Sequence, residues 1–187
     1  MEAIQALINR VSIARVSDPA PDAARREAIF AAALRAADHG QIRPWRFLLV
    51  EGEARRELGN LFVRAAQIRD PDTPGAKLEK FAAMPLRAPL VVVAIAKVQD
   101  HPKVPGVEQV ISAGAAVQNM LNAAFALGVG AFWRTGEMAY EPGVREGLGL
   151  TENEQIVGYL YLGTPVSQPE VASPLSIKDF FHSWPTK

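Results

Sequence analysis

Two arginines straddle a hydroxyl in Arg10-Val11-Ser12-Ile13-Ala14-Arg15, just where a short apolar helix gives out. A guanidinium presents several donors in a rigid fork, so two of them beside a serine can converge on one phosphate. That grouping suggests a phosphorylated cofactor. Further along come Arg35 and His39, then Pro44-Trp45 at the head of a hydrophobic strand. Spaced four apart, Arg35 and His39 would share one face of a continuing helix and could reach one ligand together. Imidazole there offers a donor whose state changes near neutral pH.

Plainer roles exist for the same groups. Arg10 and Arg15 could be solvated helix-end charges that favour the C-terminal dipole. Arg35 could pair with Asp38, and His39 could bond backbone at an exposed helix end. Trp45 reads as a core residue at a strand start. Trp133 reads differently, because Arg134 and a Thr135-Gly136 turn follow it, an unusual sequence for a core strand end. Spacing argues against a metal role: His39, His101 and His182 lie far apart in the sequence without carboxylates at ligand spacing.

The elements that must position these groups follow from periodicity. Ala3, Ile4, Leu7 and Ile8 predict an amphipathic helix over 1–10, after which the chain turns extended. Asp22 can cap a helix carrying Ile29, Phe30, Ala33, Leu34 and Ala37 inward, ended by Gly40. Trp45 to Val50 reads as a strand, residues 53–68 as a helix, and 77–84 as another. Leu90-Val91-Val92-Val93-Ala94-Ile95-Ala96 is apolar throughout, the signature of a central strand buried on both faces. After a polar, proline-rich connection at 99–106, residues 108–127 form a helix with no charge beyond Glu108. Such a helix needs cover on nearly all sides, and a homodimer supplies it naturally. A short strand at 131–136, a short helix at 144–148 and a last strand at 156–162 complete the body. Helices and strands intermix without strict βαβ alternation, so the class is α+β.

Composition narrows the function. Lys plus Arg and Asp plus Glu both total 20, leaving no net field to attract nucleic acid or an anionic membrane. Cys is absent, which removes disulfides and thiolate metal sites. The N-terminus lacks the pattern of a signal peptide, and polar residues interrupt the longest apolar window. We expect a cytoplasmic protein of one domain over 1–187, with 163–187 an extended C-terminal arm rich in proline.

The order Arg-x-Ser-x-x-Arg, then Arg-Ala-x-Asp-His and Pro-Trp-x-Phe, then Gly-x-x-Trp-Arg-Thr-Gly and Val-Gly-Tyr-Leu-Tyr-Leu-Gly-Thr-Pro, resembles the FMN-dependent nitroreductase family. The nearest resemblance is to its small YdjA-like branch of NAD(P)H nitroreductases. The likeness runs from about residue 3 to Pro165. It implies a nitroreductase-like fold: a central antiparallel or mixed sheet flanked by helices, in an intertwined homodimer extended by the partner's C-terminal segment. It implies two FMN sites at the subunit interface. Arg10, Val11 and Ser12 match the segment that binds the FMN phosphate and ribityl chain. Arg35 and His39 match a pair approaching the flavin of the other subunit. Trp133, Arg134 and Thr135 match a strand-end segment whose backbone runs past the isoalloxazine.

Three positions depart from the family pattern. Val11 stands where a second arginine is frequent, Ala37 where a proline often precedes Asp-His, and Arg43 where glutamine usually precedes Pro-Trp. A guanidinium at 43 could stabilise the anionic reduced flavin or bind the 2′-phosphate of NADPH. His101 and Lys103, in the polar connection, are candidates for contact with the substrate. The expected activity is hydride transfer from NAD(P)H onto FMN and reduction of a small electron-poor acceptor, a nitroaromatic or quinone, by a ping-pong mechanism. The flavin carries the chemistry, so no side chain is assigned as catalytic. Two alternatives share the motifs: a flavin-binding carrier or regulator with little turnover, and a specialised reductive enzyme on the same scaffold.

Overall fold

The computed structural model describes residues 2–167, 171 and 173–185. The chain runs α1 (Ala3–Asn9), β1 (Val16–Ser17), α2 (Ala23–Ala33), β2 (Trp45–Glu51), α3 (Ala54–Arg69) and α4 (Gly75–Ala83). It continues with β3 (Leu90–Lys97), α5 (Gly106–Ala126), β4 (Gly130–Arg134), α6 (Glu137–Tyr140), α7 (Pro142–Gly147) and β5 (Glu154–Pro165). Strand β3 lies between β2 and β5, while β5 also pairs with β4 and, at its end, with β1. Every pairing among the described residues is antiparallel, so the mixed alternative drops out.

Alternation along β3 feeds two cores, as a pleated strand with two covered faces must. Leu90, Val92, Ala94 and Ala96 enter one layer with Ile29 and Ala33 of α2 and Ala116, Val117 and Met120 of α5. Val91, Val93 and Ile95 enter the other with Phe62 of α3, Phe81 of α4, Met138 of α6 and Val144 of α7. Each fully buried aliphatic side chain here is worth about 1.5–3 kcal/mol. A slip of one residue would exchange the two layers, so register is strongly specified. None of the helices among the described residues is long and apolar enough to cross a membrane.

Helix α2 begins as expected, with Asp22 Oδ1 accepting the Arg25 N–H at 2.9 Å. It does not continue to Gly40. The helix ends at Ala33, because Asn119 Nδ2 on α5 and the Arg35 N–H both take the Ala32 carbonyl, at 3.1 Å each. Strand β5, for its part, runs on through Gly163–Pro165, the first residues of the stretch expected to leave the fold. Of that stretch, residues 168–170, 172, 186 and 187 lie outside the described residues.

Helix α5 is not covered all round by the described residues. Ala113, Ala116, Val117 and Ala124 are buried, but Val107 and Ile111 stand 63% and 65% exposed. Ile4, Leu7 and Ile8 of α1 and Leu175, Ile177, Phe180, Phe181 and Trp184 of the tail are also exposed. Exposed apolar side chains thus recur on α1, on the start of α5 and in the tail.

Candidate functional site

Helix α1 stops at Asn9, and Arg10 takes extended backbone angles (φ −58°, ψ 128°). The chain then runs beside β4, with the Ile13 N–H donating to the Ala131 carbonyl at 2.8 Å. Arg10 Nη1 reaches Ser12 Oγ at 3.4 Å, so these two groups do converge. Val11 between them is half-buried, and the Arg15 side chain is exposed. Among the described residues, Arg10, Arg15 and Arg35 make no ion pair. A guanidinium with no internal counter-charge is available to an external anion.

The exit of β4 does not behave as one patch. Successive side chains on a strand point to opposite faces, and here Trp133 joins the α5 layer while Arg134 crosses to the other. The Arg134 guanidinium lies 4.2 Å from the Phe132 ring centre and 5.6 Å from that of Tyr161. Burial pushes the Tyr161 hydroxyl up, opposed by Arg134 and Arg87. The Trp133 indole donates from Nε1 to the Val157 carbonyl at 3.3 Å. Thr135 follows, exposed, leading into Gly136 at φ 98°.

What comes next is anchored firmly. Tyr159 donates its hydroxyl to the Met138 carbonyl at 2.9 Å, and burial keeps that phenol protonated by pushing it up. Arg69 bonds Glu141 at 2.8 Å and Glu137 at 3.1 Å, and Lys77 reaches Glu137 at 3.0 Å. Those hydrogen bonds, that from Lys77 foremost, hold the Glu137 carboxyl below its ordinary range. The segment 133–136 is therefore strung between a paired strand and a tethered helix.

The third region is the turn between α2 and β2. Because α2 ends early, Arg35 and His39 do not share a helical face. Asp38 pairs with Arg43 rather than Arg35, at 2.7 Å, and its carboxylate also accepts the Ile42 and Arg43 N–H groups at 3.1 and 2.8 Å. Gln41 and Arg43 hold left-handed angles, φ 53° and 57°. Such angles persist only where surroundings over-determine them. His39 bonds a carboxylate instead of backbone: its Nδ1 lies 2.7 Å from Glu108 Oε2. The 99–105 connection packs against this turn, with Gln99 Nε2 donating to the Ile42 carbonyl at 3.2 Å. His101 Nδ1 accepts the Lys103 N–H at 3.2 Å, and the Lys103 side chain is exposed.

Helix α5 is the ruler for these positions. Glu108 holds His39, Gly114 faces the Trp133 ring, and Asn119 holds the end of α2. At 1.5 Å and 100° per residue, Glu108 and Gly114 stand about 9 Å apart along the axis and about 120° around it. Arg10 thus comes together with Ser12, while His39 is held at Glu108, on a different side of α5 from the Trp133 contact. Sequence reasoning missed the roles of Glu108 and the Arg69–Glu141 tie, and gave Asp38 the partner Arg35 where the structure gives Arg43. Glu108 carried a signal, as the single charge on an otherwise uncharged helix.

Residues 7–164 match the Nitroreductase family. The chain belongs to that family. It is 39% identical over 179 residues to the Escherichia coli protein named "Putative NAD(P)H nitroreductase YdjA", covering 96% of each chain. Among solved structures, the nitroreductase-like family protein of Bacillus cereus superposes with a TM-score of 0.83 at 24% identity, over 100% of this chain and 97% of that one. The Bacteroides fragilis nitroreductase, solved with bound FMN, gives 0.72 at 21% identity over 98% of both chains. These two likenesses establish the nitroreductase fold for the α+β architecture described above.

Proposed function

We propose that this nitroreductase-family chain is an FMN-dependent oxidoreductase, working as a homodimer, that passes hydride from NADH or NADPH to a small electron-poor acceptor such as a nitroaromatic or quinone. The observation that carries the reading is the convergence of Arg10 and Ser12 without a counter-charge among the described residues. The FMN phosphate is dianionic and needs fixed cations and hydroxyl donors, and this pair fits it. The relative named as an NAD(P)H nitroreductase and the neighbour solved with FMN support the cofactor and the donor.

Within that reading, Arg10 and Ser12 grip the phosphate, and the Val11 backbone adds to the grip. When bound, FMN supplies a ring that takes up and gives back hydride. Backbone groups of Trp133, Arg134 and Thr135 steady the ring edge, because their strand is paired on one side and tethered on the other. Arg35 and His39 serve the site of the second copy, with His39 held on a different side of α5 from Trp133. Arg43, His101 and Lys103 border the acceptor's approach. The exposed faces of α1 and α5 meet their counterparts in the dimer. An apolar groove of about 180 Å³ beside the edge strand β2, between Phe30, Leu34, Phe47 and Leu49, accepts the partner's apolar tail.

The test is the absorption spectrum of the purified protein, chromatography of the released chromophore, and NAD(P)H consumption with menadione or nitrofurazone. A yellow dimer releasing FMN and showing parallel-line kinetics is expected, since donor and acceptor need one site in turn. A colourless protein that refuses added FMN overturns the proposal. Flavin bleaching without acceptor turnover replaces the enzyme with a carrier, and product analysis over a substrate panel separates a specialised reductive enzyme.

A further inference from the structure

The contact between His39 and Glu108 decides which ring nitrogen faces outward. A carboxylate has only acceptor capacity when ionised, so at 2.7 Å from Glu108 Oε2 the His39 Nδ1 must carry a proton. Glu108 sits in the first turn of α5, where the helix dipole favours its negative charge. Nε2 has no hydrogen-bond partner among the described residues, and the imidazole is 57% exposed. The backbone beneath the ring is fixed separately. Asp38 holds the Ile42 and Arg43 N–H groups, Gln99 holds the Ile42 carbonyl, and buried Val104 packs beside Gly40.

We propose that Glu108 is a positioning residue that locks His39 as the Nδ1–H tautomer, leaving Nε2 as the ring nitrogen that meets the ligand. Neutral His39 then accepts at Nε2 from a hydroxyl or an imide N–H; charged His39 donates there to a carbonyl or phosphate oxygen. In neither state does the ring need to turn over. The other charged groups on the neighbouring segments are Asp38 and Arg43 on its own turn, paired with each other, and Asp100, His101 and Lys103 on the connection packed against that turn. None of these bonds the imidazole. That the ligand is the flavin of the second copy rests on the proposed function; the tautomer lock does not.

The experiment is two-bond ¹H–¹⁵N correlation spectroscopy of the ¹⁵N-histidine-labelled full chain, at alkaline pH where imidazoles are neutral. His39 is assigned by its loss in His39→Gln. Wild type should show a pyrrole-like Nδ1 and a pyridine-like Nε2, and Glu108→Ala should revert to the Nε2–H form that dominates free histidine. Glu108→Asp should recover part of the wild-type pattern, and circular dichroism melts confirm that both variants fold. FMN titration should show roughly threefold to tenfold weaker binding for Glu108→Ala, from one lost orienting hydrogen bond. A wild-type His39 already in the Nε2–H form, or a pattern unchanged in Glu108→Ala, overturns the lock. Unchanged FMN affinity with the tautomer reversed overturns the ligand-facing role of Nε2. A locked tautomer in a chain that never binds FMN supports the role of Glu108 and overturns only the cofactor reading.

Discussion

The indole N–H of Trp133 is committed to the carbonyl of Val157 on the neighbouring strand, 3.3 Å away. That bond exists because Gly158, beside the acceptor, leaves room for the ring: a Cβ there would overlap the indole and stand 2.7 Å from the Arg134 carbonyl. Gly158 also holds φ 156°, at a register shift between β3 and β5. Gly158→Ala should therefore cost about 2–4 kcal/mol and expel Trp133 from its seat. Denaturant titration followed by tryptophan emission checks both effects. A variant of wild-type stability and unshifted emission would show that the ring does not depend on this glycine.

Arg10 and Arg15 make a matched pair for testing the phosphate grip. Arg10 meets Ser12, whereas Arg15 leaves its side chain in solvent and lends only its carbonyl, to the Val166 N–H at 3.2 Å. A charge-assisted hydrogen bond contributes about 1.5–3 kcal/mol. Arg10→Ala should then weaken FMN binding at least tenfold, while Arg15→Ala changes it less than threefold. Flavin fluorescence quenching on titration gives both constants, and equal losses would point to diffuse attraction instead of a built site.

Local signals were the legible ones. The unbroken apolar run of β3 announced a doubly covered strand, and Asp22 announced the start of α2. The end of α2 was not legible, because the group that claims the Ala32 carbonyl, Asn119, lies on another helix. The same limit applies to the site. Arg10 and Ser12 could be grouped from spacing alone, being neighbours in the chain. Trp133 and Arg134 looked like one patch until the pleat of β4 sent them to opposite layers. The partner of His39 could not be found by any local rule, since Glu108 stands across a strand, a helix pair and a further strand from it.

Asp38 and Arg43 test whether the turn between α2 and β2 is rigid by construction. Asp38 is only 3% exposed and accepts three hydrogen bonds, two from backbone of residues at or beside left-handed positions. Asp38→Ala strands those donors and should destabilise by about 2–3 kcal/mol, with faster hydrogen exchange over 38–43. Arg43 is 57% exposed and contributes one surface ion pair. Arg43→Gln should cost under about 1 kcal/mol, and its NADPH-to-NADH preference should match wild type because the guanidinium is engaged by Asp38. A large drop in NADPH use by that variant would return Arg43 to the 2′-phosphate.

Acid sensitivity should trace to Glu154. Arg46 donates to its carboxylate at 2.6 and 2.8 Å, and the Thr151 N–H adds a third bond at 3.1 Å. The Arg46 hydrogen bonds outweigh burial and hold the carboxyl at about 2, against an ordinary 4.5. A carboxyl depressed in the folded state lends stability above its unfolded value and loses it as pH falls through the folded one. The window is therefore about 4.5 down to 2, because the unfolded chain takes up the proton first. The contribution is on the order of 2–3 kcal/mol, reduced from the full shift because Arg46 is 33% exposed and partly screened. Glu51 and Glu137, also held low but far more exposed, add to the same acid limb in wild type and variant alike. Comparing denaturation midpoints of wild type and Glu154→Gln at pH values above and inside that window isolates the one group. The variant should be less stable near neutrality and should lose less on acidification, whereas parallel curves would mean that the Arg46–Glu154 bridge is not what acid breaks.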